Sequence, residues 1–131
     1  MKHLLDINAL IALAHRTHAQ HARAIAWFQT SRAASQALCT CAITELGFVR
    51  VTVQTRLQTD VASARKALEQ LERSSPIPFE LLGDDLGADR LPAFAKTPAK
   101  LTDGHLLELA RQHRTQFVTL DAGNPGAQLI P

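Results

Sequence analysis

The sequence contains no tyrosine, one tryptophan and five phenylalanines among 131 residues. So few rings argue against single-stranded RNA recognition by bases stacked on an aromatic sheet. Cysteine is also scarce: Cys39 and Cys41 are the only two. In an extended segment they project from one face at a spacing poorly suited to a mutual disulfide, so they read as buried thiols of a reducing compartment. No apolar run approaches the ~20 residues that cross a bilayer. The stretch around Leu10 that ends in Ala12-Leu13-Ala14 superficially resembles a secretion signal, but Asp6 and Asn8 interrupt the apolar core such a signal needs. A cytoplasmic location with no membrane association is the expectation. Neither sign of charge dominates, since 14 Lys+Arg face 12 Asp+Glu for a net +2, and the cations are scattered rather than gathered in a tail. Repeats and low-complexity tracts are absent.

What is present suffices for a core. With 46% apolar residues, the chain is expected to form one domain over residues 1–131 without staples. His3-Leu4-Leu5 reads as a short strand ending on Asp6, and Ile7, Leu10, Ile11 and Ala14 form the apolar stripe of a helix over Ile7–Ala14. A polar turn leads to a second helix, about Ala19 to Ala34, with Ala22, Ile25, Ala26 and Phe28 expected inward. Ala37–Cys41 predicts a second strand. The Ile43–Gln54 segment is rich in β-branched residues, yet Ile43, Leu46, Gly47, Val49 and Val53 make a helical stripe and favour a helix. Asp60 is a candidate N-cap for a helix over Val61–Arg73.

Ile77–Leu82 predicts a third strand, with Pro78 pointing to a sheet edge. The Gly83–Pro98 segment, broken by Gly87 and Pro92, reads as loops around a brief helix. Thr102-Asp103 opens a helix to about His113, and Gln116–Leu120 predicts another strand. Asp121 to Gly126 is a turn before a last short strand near Leu129. Strands alternating with helices predict an α/β fold whose central, mainly parallel sheet is flanked by helices on both faces. Ligand sites in such sheets lie beyond the carboxyl ends of the strands.

Four acids are placed near that rim. Asp6 and Asp121 directly follow apolar strands, Glu45 lies about one helical turn after the second strand, and Asp103 lies at the start of the helix leading into the final long strand. Each has an ordinary role available: helix cap for Asp6 and Asp103, turn former for Asp121, half-exposed helical position for Glu45. Together they imply something more. Two ionised carboxylates 4 Å apart repel by about 4 kcal/mol at an effective dielectric of 20, so such a cluster calls for cations. Hard oxygen donors without convergent cysteines suit Mg²⁺ or Mn²⁺, and these ions support phosphoryl chemistry.

The block Leu4-Leu5-Asp6-Ile7-Asn8-Ala9-Leu10-Ile11-Ala12-Leu13, then Thr44-Glu45-Leu46, Thr102-Asp103 and Val118-Thr119-Leu120-Asp121, resembles the PIN-domain ribonucleases in order and spacing. Within them it most resembles the VapC-type toxins of bacterial toxin–antitoxin pairs, and the segment from His18 to Phe28 is similar to their second helix. The resemblance implies a PIN-like domain acting as a Mg²⁺- or Mn²⁺-dependent endoribonuclease. It further implies a homodimer, neutralised by an antitoxin usually encoded beside it. Asp6, Glu45 and Asp103 match the family's three principal metal-site acids and Asp121 the fourth, while Asn8 and Thr119 match supporting polar positions. The implied reaction is in-line attack of a metal-activated water on phosphorus, leaving a 3′-hydroxyl and a 5′-phosphate. The chain departs from the pattern after Asp121, where relatives commonly carry an aromatic-containing turn and this one has Ala122-Gly123-Asn124-Pro125-Gly126. That departure leaves the role of Asp121 open, with Asn124 available to share it. Gly104 also stands where a small helix former is usual.

Other features carry less. His15, His18 and His21 recur every third residue, but the turn at Arg16-Thr17 separates them and no cysteine or carboxylate completes a zinc set. Solvated helix positions are the default for them, with RNA or dimer contact by His18 and His21 as the functional alternative. His105 lies close enough to Asp103 to touch a substrate. Ten arginines against four lysines favour bidentate phosphate contacts only weakly. Two competing functions remain: a catalytically silent PIN-like binding module, and an aspartate-based Mg²⁺ phosphatase. The phosphatase requires a second Asp two residues after the first, and here that residue is Asn8.

Overall fold

A computed structural model describes residues 1–131. Its order is β1 (Lys2–Leu5), α1 (Ile7–Ala14), α2 (His21–Ser31), β2 (Ala37–Cys41), α3 (Ala42–Gln54), α4 (Val61–Ser74), β3 (Phe79–Leu82), a single 3-10 turn at Ala88–Arg90, α5 (Pro98–Gln112), β4 (Gln116–Thr119) and β5 (Gln128–Leu129). The five strands form one sheet in the order β3-β2-β1-β4-β5, and every pairing is parallel. Because a parallel sheet is covered on both faces, its central strands β1, β2 and β4 are largely buried on both sides.

The alternation is visible residue by residue. Leu5, Leu38 and Val118 enter a core shared with α1 to α4, including Leu10, Trp27, Phe48 and Leu68. Their neighbours Leu4, Cys39 and Phe117 turn to the opposite face, where Leu106, Leu107 and Ala110 of α5 cover them. Both cysteines are buried and unpaired on that second face, and burial pushes the Cys39 thiol up to about 11.

Several expected boundaries shift for identifiable reasons. Helix α2 is shorter than Ala19–Ala34 and rotated: Ala24 and Trp27 are buried, Ile25 and Phe28 are half-buried, and Ala22 and Ala26 face solvent. Burying one indole removes far more apolar area than two alanine methyls, so Trp27 sets the helix face. Its ring packs edge-on against His3 at 5.7 Å. Strand β3 begins at Phe79 rather than Ile77 and lies at the sheet edge, as Pro78 suggests. Helix α5 begins four residues earlier than Thr102, with Pro98 at the first helical position. A missing N–H costs nothing there, so this proline starts the helix instead of breaking it. Asp60 does cap α4, accepting from the Ser63 amide at 2.7 Å.

Gly104 is explained by packing. A Cβ at that position would lie 2.7 Å from the Ala95 Cβ and 3.1 Å from the Pro92 Cδ. The turn before α5 therefore rests directly on the helix backbone beside Asp103. Replacing Gly104 with Ala is expected to lower stability by about 1–3 kcal/mol in urea unfolding, although alanine gains about 1 kcal/mol of helix propensity. A more stable variant would contradict this packing account.

Candidate active site

The carboxyl ends of β1 and β4 lie side by side, which places Asp6 opposite the Thr119–Asp121 segment. Asp6 is only 4% exposed. One of its oxygens caps α1 by accepting from the Ile7 amide at 2.7 Å, and the other accepts from the Thr119 hydroxyl at 2.7 Å. Thr119 is shared further: its oxygen accepts from the Asp121 amide at 3.1 Å and from the Asn8 side-chain NH₂ at 3.4 Å. The Asn8 carbonyl in turn accepts from the Leu120 amide at 3.2 Å. Asn8 and Thr119 thus brace the acids from behind.

A cavity of about 580 Å³ opens at this rim, and Asp6, Asn8, Thr102, Asp103, Asp121 and His18 are among its lining residues. Asp103 reaches it from the second turn of α5, since the helix begins at Pro98. The capping role that the sequence offered for Asp103 is therefore replaced: Thr97 occupies the N-cap, and Asp103 is free to face the cavity. Asp121 stands exposed just past β4.

The electrostatics follow from crowding. Burial raises the Asp6 carboxyl to about 6, and the charges of Asp103 and Asp121 add to the shift against the opposing Thr119 and Ile7 hydrogen bonds. Asp103 is also raised, chiefly by burial and by Asp121, while Lys100 and Asn124 oppose the rise. An all-oxygen set with too little internal positive charge fits a hard divalent cation. No three His, Cys, Asp or Glu side chains stand in a closed ligating arrangement. The aspartates around the cavity would therefore reach an ion partly through its water shell, which Mg²⁺ retains.

Glu45 is placed differently from the expectation. It does not line this cavity but a neighbouring groove between α3 and α4, with Leu46, Leu68 and Glu72. The Thr40 hydroxyl holds it from the end of β2 at 2.6 Å, and its charge contributes to raising Glu72 on α4. Thr44, its neighbour in the motif, is occupied structurally: it exchanges hydrogen bonds with Cys41 and caps α3.

The histidines separate by role. His15 meets the Ile11 carbonyl at 2.9 Å and His21 the Ala12 carbonyl at 2.7 Å, both at the end of α1, whereas only His18 of the three lines the cavity. His105 turns to Asp84, 2.6 Å away. Lys100 lies one turn before Asp103 on the same helix, and that spacing is the sequence signal that it stands beside the acids.

Known proteins resemble this chain in sequence and in fold. The PIN domain family model matches residues 3–123. Ribonuclease VapC38 of Mycobacterium tuberculosis is 39% identical over 125 residues, covering 92% of this chain and 85% of that protein. Ribonuclease VapC44 of the same species is 35% identical over 128 residues, covering 92% and 87%. Among solved structures, Mycobacterium tuberculosis VapC20, described as a sarcin-ricin loop cleaving toxin, superposes with a TM-score of 0.65 at 14% identity, covering 98% of this chain and 99% of that one. PAE2754 from Pyrobaculum aerophilum gives 0.61 at 22% identity, covering 99% and 90%. These two share the fold. With nine-tenths of its length aligned to VapC ribonucleases and the family model spanning nearly all of it, the chain belongs to the PIN-domain family, in its VapC branch.

Proposed function

We propose that this protein is a divalent-metal-dependent endoribonuclease toxin, and the observation that carries the reading is the convergence of Asp6, Asp103 and Asp121 on one cavity. Its relatives named as ribonucleases support RNA as the substrate. Asp6, Asp103 and Asp121 would hold Mg²⁺ or Mn²⁺, with Glu45 as an outlying acid that contributes from the α3 side. When bound, the cation supplies an activated water and neutralises charge on the attacked phosphodiester.

The chain's own residues prepare that chemistry. The Ile7 amide and Thr119 hydroxyl fix both Asp6 oxygens, so the carboxylate keeps one orientation. Asn8 ties the Asp6 side of the cavity to the Leu120 amide, holding the strand ends together while substrate enters. The proposed products are a 3′-hydroxyl and a 5′-phosphate: water attacks phosphorus in line with the 3′-oxygen, the bond to that oxygen breaks and it leaves as the hydroxyl, whereas attack by the ribose 2′-hydroxyl would expel the 5′-oxygen. Cytoplasmic action, a homodimer and neutralisation by a cognate antitoxin complete the proposal. No helix is long and apolar enough to cross a membrane.

Incubating the protein with total RNA is expected to give cleavage in Mg²⁺ or Mn²⁺, none in EDTA, and only background with Asp6→Asn. Cleavage that survives both controls contradicts the metal-acid reading, and no cleavage of any RNA favours the silent binding module. Thr119→Val, which removes the brace from Asp6 and Asp121, is expected to reduce the rate by about 10–100-fold.

Stability carries an independent signature. The Asp6 pKa of about 6 in the folded state exceeds its ordinary 3.8, so folding is favoured by protonation of this group. Its contribution is present below 3.8 and is lost as pH rises through about 6, leaving a penalty of about 3 kcal/mol near neutrality. In EDTA, Asp6→Asn is therefore expected to raise Tm at about pH 7 and to change it little at about pH 4. Mn²⁺ is expected to raise the Tm of the wild type and not of the variant. A variant less stable than wild type near neutrality would contradict the electrostatic account.

A further inference from the structure

Beside the three aspartates lies an arrangement that the metal-acid scheme does not use. Lys100, half-buried on α5, reaches across to the turn after β4 and donates to the Gly123 carbonyl and to the Asn124 side-chain oxygen, each at 3.2 Å. A lysine ammonium offers only donors, so the amide of Asn124 must present its oxygen to Lys100 and its NH₂ to the other side. That NH₂ is buried and has no hydrogen-bond partner, in a residue only 9% exposed. An unpaired buried donor costs about 1–3 kcal/mol, so its retention calls for an acceptor that is present at some stage of function. The carboxylate placed to receive it is that of Asp103, three residues after Lys100 on the same face of α5, and both Lys100 and Asn124 favour its ionised form.

We propose that Lys100 and Asn124 act as one positioning unit, in which Lys100 fixes the orientation of the Asn124 amide and the amide aims its NH₂ at the cavity acceptor carried by Asp103. The unit rests on the ribonuclease reading above and deepens it. It also ties the Gly123–Asn124 turn, and with it Asp121, to the helix that carries Asp103. Gly123 has a φ of +88°, a left-handed conformation that suits glycine and lets the turn bring its carbonyl to Lys100. The turn after Asp121 thereby acquires a function, since it presents Asn124 as a directed hydrogen-bond donor.

The roles of the two residues make a specific prediction for coupling. Lys100→Met frees the amide to rotate, and Asn124→Ala removes it, so either change is expected to lower kcat about 10–100-fold with KM for a model RNA nearly unchanged. The double variant is expected to be no worse than the more damaged single one. Lys100→Arg, which keeps the charge and donors, is expected to recover part of the loss. Mn²⁺ titration followed by electron paramagnetic resonance gives a readout without RNA, in which both single variants and the double are expected to weaken binding by a similar factor.

Multiplicative effects in the double variant, in either assay, would overturn the proposal. So would a rise in KM with kcat intact and a salt dependence reduced by about one phosphate contact, which would make Lys100 a direct RNA ligand. Wild-type protein that cleaves no RNA would remove the ribonuclease reading, while the Mn²⁺ titration would still decide the coupling. Active wild type with independent variants would remove the positioning unit alone.

Discussion

The hydrogen bond from Thr119 to Asp6 joins the ends of two adjacent strands, and the geometry of the site depends on it. Asp6 must be buried to follow β1 and cap α1, yet a buried carboxylate is costly unless its oxygens are paired. The Ile7 amide and the Thr119 hydroxyl supply those pairs, one from each element. Thr119 then serves the next residue over, because its oxygen also receives the Asp121 amide and the Asn8 side chain. A single hydroxyl thereby sets the distance between a strand-end acid and the turn that carries another. The parallel β1–β4 pairing places both at the rim where such sheets bind ligands.

Charge explains why this rim is poised rather than relaxed. Hydrogen bonds hold Asp6 partly ionised, but burial and two neighbouring carboxylates push in the other direction. Lys100 is the cation that the protein itself brings near Asp103. One ammonium beside three aspartates leaves a negative cavity, which is the electrostatic basis of the proposed divalent-ion site. The small net charge of the whole chain conceals this division. Setting aside Asp6, Glu45, Asp103 and Asp121 leaves 8 of the 12 acids against all 14 bases, a surface suited to polyanionic RNA.

The sequence made much of this legible. Consecutive apolar residues in Leu4-Leu5 and Phe117-Val118 specify a strand covered on both sides, and the structure places those neighbours in opposite cores. The strand–acid–helix junction at Asp6 was readable because its capping geometry is local. Longer-range features were less visible. The face of α2 is not legible in its alanines, which give little directional signal, because Trp27 decides it by area. The start of α5 at Pro98 is hidden in the sequence because proline can begin a helix as well as end one. Glu45 shares the expected rim but not the cavity: Thr40 holds it toward α4, and that contact depends on how two helices pack. Lys100 and Asn124 meet across 24 residues, and their meeting depends on the turn that brings them together.

The most direct test of the central claim is anomalous diffraction from a crystal soaked in Mn²⁺. The account predicts a manganese peak in the cavity beside Asp6 and Asp103, lost in the Asp6→Asn protein. A peak confined to the groove beside Glu45 and Glu72, or none in the aspartate cavity of a protein that cleaves RNA in Mn²⁺, would contradict it.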